Sequence, residues 1–100
     1  MNQNKYLNLI GLAFRAGKCS IGEDSILKHI RSNRAKLVLI ANDVGPQTKK
    51  KLTDKCKSYN VPFAIVDDRD TLSNAIGKTH RVAIAILDAG FADKIRSLLG

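Results

Sequence analysis

Apolar positions along the chain change their spacing several times, and each change marks an element. Tyr6, Leu7, Leu9, Ile10, Ala13 and Phe14 recur every three to four residues, the period of a helix with one buried face. Gly17 follows where a helix end favours a residue that tolerates positive φ. The tetrapeptide KCSI, 18–21, reads as a brief strand or a turn. A short helix then runs from about Gly22 to Arg31 with Ile26, Leu27 and Ile30 inward. AKLVLIAND, 35–43, is continuously apolar at its centre and bounded by polar residues, the mark of a strand buried on both faces. Pro46, preceded by Asp43 or Gly45, opens a helix whose inner face carries Leu52, Cys56 and Tyr59. VPFAIV, 61–66, is a second strand, after which Asp67 or Asp68 caps a short helix buried through Leu72, Ala75 and Ile76. RVAIAIL, 81–87, is the last strand, and Phe91, Ile95, Leu98 and Leu99 share one side of the final helix.

Helices thus alternate with strands, and two strands are apolar on both faces. That pattern predicts an α/β fold, a three-layer α/β/α sandwich around a small central mixed sheet. Residues 1–100 make a single domain, and a chain of this length buries roughly 65% of its unfolded surface, enough to fold without staples. The longest apolar runs, LVLIA and VAIAIL, fall far short of the ~20 residues of a membrane span. MNQNKYLNLI has no basic start, apolar run or cleavage site of a signal peptide, so a cytoplasmic location is expected. Cys19 and Cys56 lack metal-ligand spacing and are expected as reduced thiols.

Charge narrows the picture further. Seventeen basic against nine acidic residues give a net charge of +8, and the pI is near 9.8. A domain this basic attracts polyanions, of which nucleic acid is the commonest.

GLAFRAGKC fails as a phosphate-binding loop, because five residues separate Gly11 from Gly17 where four are required and Cys19 replaces the magnesium-binding hydroxyl. Cys19 beside Lys18 could be an activated nucleophile, but no base is placed near it, and a structural thiol is the simpler account. The Asp67–Asp68 pair is explained by capping. No catalytic set emerges, so the chain is not read as an enzyme. The five lysines of KKKLTDKCK form a solvated helix face that can steer a polyanion from a distance. In IGKTHRV, a short basic loop runs directly into a buried strand and is held at both ends. In CSIGEDSILK, Ser20 and Glu23 have the spacing of a capping box. The same helix start offers backbone N–H groups to phosphate, and Lys28 lies one turn beyond Asp24.

The segments GEDSILKHIRSNRAKLVLIANDVGP, VPF and IGKTHRVAIAIL, taken in order, resemble the kink-turn RNA-binding ribosomal-protein family, the L7Ae/L30e group, and most closely its small bacterial members. The resemblance spans nearly the whole chain and implies the same α/β/α sandwich. It also implies that structured RNA containing a kink-turn is the partner, with no cofactor or metal, and that the protein acts as a monomer in a ribosomal or ribonucleoprotein setting. The family's second helix starts G-x-N-E-x-x-K, placing Gly22, Asp24, Ser25 and Lys28 on the sheared G·A pairs. Asp24 and Ser25 depart from the Asn-Glu pair. Lys78, Thr79, His80 and Arg81 correspond to the family's second contact loop, which is more apolar in several members, and Val44 and Gly45 lie at the same end. The competing expectations are a protein-interaction module with non-specific RNA affinity and a thiol enzyme using Cys19.

Overall fold

The two strands that are apolar on both faces occupy the middle of a four-stranded sheet. The computed structural model describes residues 2–100, with side chains from Lys5 onward. Its elements run α1 (Asn2–Arg15), β1 (Cys19–Ile21), α2 (Glu23–Arg31), β2 (Leu37–Ile40), α3 (Pro46–Ser58), β3 (Phe63–Ile65), α4 (Arg69–Ala75), β4 (Ala83–Ile86) and α5 (Ala89–Leu99). The sheet order is β1-β4-β2-β3, with β4 antiparallel to both of its neighbours and β3 parallel to β2. Every residue of β2 and β4 is buried.

Strand alternation divides these side chains between two cores. Leu37, Leu39, Ala41, Ile84 and Ile86 face Tyr6 and Ile10 of α1, Leu72 of α4 with Ile76 just beyond it, and Ala92 and Ile95 of α5. Val38, Ile40, Ala83 and Ala85 face Ile26, Leu27 and Ile30 of α2 and Leu52 and Cys56 of α3. Two helical layers therefore enclose the sheet, as the sequence pattern predicts. The segment 19–21 is a strand, paired with β4 through Ser20 opposite Ala85.

Local details resolve several open choices. Asp68, not Asp67, caps α4, its carboxylate accepting from the Thr71 N–H at 2.8 Å. Asp67 instead accepts the hydroxyl of buried Tyr6 across the chain. Burial, reinforced by that carboxylate, raises the Tyr6 pKa and keeps the phenol a donor. Tyr59 does not belong to the inner face of α3. The helix ends at Ser58, so Tyr59 becomes its C-cap and is 37% exposed. Among the described residues, no helix is long and apolar enough to cross a membrane.

Gly11 has a specific packing role: a Cβ there would lie 2.8 Å from the Ala75 carbonyl oxygen. Glycine to alanine inside a helix ordinarily stabilises by about 0.5–1 kcal/mol. At Gly11 the backbone contact reverses the sign, so Gly11→Ala is expected to lower the midpoint of urea unfolding. A raised midpoint would contradict the close α1–α4 contact.

Candidate nucleic-acid interface

Three segments meet at one end of the sheet. β1 ends at Ile21, and Gly22 then turns the chain into α2 with φ of +90°, in the left-handed region that favours glycine. Gly22 is the N-cap and supplies no side chain to the free N–H groups of the first turn. α3 begins similarly, with Gly45 as N-cap, Pro46 following and no side-chain cap. Glu23 joins the two starts: Oε1 accepts the Thr48 hydroxyl at 3.1 Å, and Oε2 pairs with Lys51 Nζ at 2.9 Å. Lys51, with help from Thr48, lowers the Glu23 pKa, so the carboxylate stays charged.

The third segment precedes β4. Gly77 and His80 both adopt positive φ, +67° and +57°. The Lys78 N–H donates to the Ser73 carbonyl at 2.9 Å, and the Ser73 hydroxyl spans Arg81, accepting its N–H at 2.9 Å and donating to its carbonyl at 3.3 Å. Ser73 is 2% exposed, so the loop is anchored from inside α4. Gly22, Glu23, Thr48, His80 and Arg81 then border a cleft of about 250 Å³ whose apolar lining includes Ile26, Leu52 and Ala83. Among the described residues, Arg81 Nε is buried without a hydrogen-bond partner. Two uncapped helix starts beside the basic Arg81 at one cleft make an environment that favours anions.

Gly22, His80 and Arg81 border the cleft, while Asp24 and Lys28 lie exposed on α2. Lys78 sits with Nζ 5.8 Å from the centre of the Phe14 ring, turned toward α1. Thr79 is exposed in the loop, Val44 is half-buried, and Gly45 is the α3 cap. Ser25 Oγ lies 2.7 Å from Ser20 Oγ. His29 Nδ1 stands 3.0 Å from Ser20 Oγ and 2.9 Å from the Ser25 carbonyl oxygen, tying the flank of α2 to β1.

The expected Ser20–Glu23 capping box does not form. Ser20 is 5% exposed inside β1, and pairing with β4 prevents it from capping the helix that starts three residues later. Glu23 instead points to α3. Thr48, Lys51 and Ser73 complete the site and carry no local sequence signal, because each acts on a partner distant in the chain. The Cys19 thiol is pushed up to about 12 by burial and lies 4.0 Å from the Ile10 carbonyl oxygen, the setting of a structural cysteine. Cys56 is buried and free. Among the described residues, no cluster of potential metal ligands occurs.

A basic α/β/α sandwich with two uncapped helix starts and an internally clamped arginine loop at one sheet end is a binding domain for an anionic partner. The chain belongs to the ribosomal protein L7Ae/L30e/S12e/Gadd45 family, which matches residues 4–96. It is 48% identical over 99 residues to the RNA-binding protein YlxQ of Bacillus subtilis, covering 99% of each chain. It is 43% identical to the RNA-binding protein YlxQ of Enterococcus faecium over 98% of this chain and 94% of that one. A solved structure of a Bacillus halodurans protein of unknown function superposes with a TM-score of 0.92 at 44% identity, covering 95% of this chain and 96% of that one. This kinship stands against the thiol-enzyme reading.

The Glu23 contacts have a pH signature. A carboxyl whose pKa is lowered in the fold contributes stability above its ordinary value of 4.5, and that contribution is lost as pH falls through the lower folded value. Glu23→Gln is therefore expected to reduce Tm by a few degrees at neutral pH, with the gap to the wild type closing below pH 4.5. A gap that persists unchanged in acid would show that the charge on Glu23 contributes nothing.

Proposed function

We propose that this protein binds structured RNA and stabilises a kink-turn or a closely related internal loop, without catalysing a reaction. The observation that carries this reading is the cleft shared by Gly22, Thr48 and Arg81, where two helix starts meet a fixed basic loop. A tightly bent RNA strand concentrates phosphates, and such a cleft offers backbone N–H donors and the Arg81 guanidinium to them. Asp24 accepts from base amino groups, and Lys28 adds a cation one turn further along α2. Ser25 contributes through its backbone N–H, since its hydroxyl already meets Ser20. His80 and Thr79 supply ring and hydroxyl contacts, and Lys78 adds charge from the Phe14 side. Binding at the cleft and the loop favours the bent RNA over its extended form, a shift between conformers that both exist in the free RNA.

The family's ribosomal members and the relatives named as RNA-binding proteins support this assignment. A ribonucleoprotein setting in the cytoplasm, action as a monomer and independence from cofactors belong to the same proposal.

The test is a titration of a kink-turn duplex against one whose sheared G·A pairs are replaced by Watson–Crick pairs, at two salt concentrations. Preference for the kink-turn at both is expected. Lys28→Ala and Arg81→Ala should each weaken kink-turn binding by ~1–3 kcal/mol, with the far-ultraviolet spectrum unchanged. Equal affinity for both duplexes would sink the kink-turn assignment, and wild-type affinity in both variants would sink the site.

A further inference from the structure

We propose a second RNA contact surface, the seam between the outer faces of α2 and α3, which holds the phosphate backbone of one duplex arm leaving the bent site. The inference rests on the proposed function, because the arm is positioned by RNA bound at the cleft. Its observations are separate ones.

The net charge is unevenly placed. Between Glu23 and Ser58 the chain carries nine basic and four acidic residues, so +5 of the total +8 falls on the α2/α3 layer and the segments next to it. Three of those four acids are already paired, Glu23 with Lys51 at 2.9 Å, Asp54 with Lys50 at 2.8 Å and Asp43 with Arg69 at 3.3 Å. Lys28, Arg31 and Arg34 are exposed and make no ion pair among the described residues, and the same holds for half-buried Lys55. Of the four acids only Asp24, one turn before Lys28, stands outside an ion pair, so most of the positive field of these cations is left uncompensated.

The placement is directional. Both helices start at the cleft, joined through Glu23, Thr48 and Lys51, and α3 extends for 13 residues, about 20 Å. Lys28 and Arg31 step away along α2, and Arg34 follows in the turn beyond it. Lys55 lies one turn past Lys51, on the side of α3 that meets α2. Cations in two rows that begin at a bent-strand site and lead away from it suit a polyphosphate backbone running along the seam. No base contact is implied, so the seam adds affinity and salt dependence without sequence preference.

The experiment compares wild type with the triple variant Arg31→Gln, Arg34→Gln, Lys55→Gln, which leaves the cleft, Lys28 and the Glu23–Lys51 pair intact. Each protein is titrated with a short-armed kink-turn, with kink-turns having either arm lengthened by one helical turn, and with Watson–Crick duplexes of matching lengths. For the wild type, lengthening one particular arm should tighten binding and steepen the dependence of log K on log salt. The variant should lose about two to three units of that slope on the lengthened RNA and match the wild type on the short one. Equal slopes for short and long arms, or equal losses by the variant on both, would overturn the seam. A length effect that the variant abolishes, seen without any preference for kink-turns, would keep the seam and overturn only the kink-turn reading.

Discussion

The pairing of β2 with β4 is the constraint on which the rest of the structure depends. All eight side chains of the two strands are buried, so each face of this pair must be covered by a helical layer. The layers divide unequally, with α1, α4 and α5 on one face and α2 and α3 on the other. That division brings the starts of α2 and α3 to one edge of the molecule. Because β4 runs antiparallel to β1 and β2, the loop preceding β4 arrives at the same edge as the end of β1. The cleft follows from the topology before any residue in it is chosen.

Residue choice then makes the cleft attractive to anions without leaving it mobile. An acid at position 23 would repel phosphate if it stood alone, but Lys51 and Thr48 draw its charge into a bridge between the helices. Arg81 shows the opposite treatment. Its backbone is fixed at both polar atoms by Ser73, while its Nε has no partner among the described residues. A buried unpaired donor costs about 1–3 kcal/mol. The cleft is thus held by internal contacts, with one donor of its arginine left unpaired among the described residues.

The architecture was legible because long periodic or continuously apolar runs follow directly from burial. Ile26, Leu27 and Ile30, the runs at 37–40 and 83–86, and Leu52 with Cys56 all fall inside as their spacing requires. The cap signals were less reliable. Ser20 and Glu23 satisfy the capping-box spacing, yet the strand at 19–21 claims Ser20 and leaves Gly22 as cap. Tyr59 continues the apolar spacing of α3 but falls just past the helix end. Contacts such as Tyr6 with Asp67, 61 residues apart, and Glu23 with Lys51, 28 apart, are set by tertiary geometry and leave no periodic trace. The expected RNA-contact residues rest on the family resemblance, and the structure adds what that could not: Gly22, His80 and Arg81 share one cleft, whereas the Ser25 hydroxyl and Lys78 are turned toward neighbouring elements.

The proposed selection of a bent RNA at this cleft is read directly by fluorescence transfer between labels on the two ends of a kink-turn duplex. Without divalent ions to bend the RNA beforehand, adding protein is expected to bring the ends together in proportion to the fraction bound. Saturated binding that leaves the ends at their extended separation would contradict it.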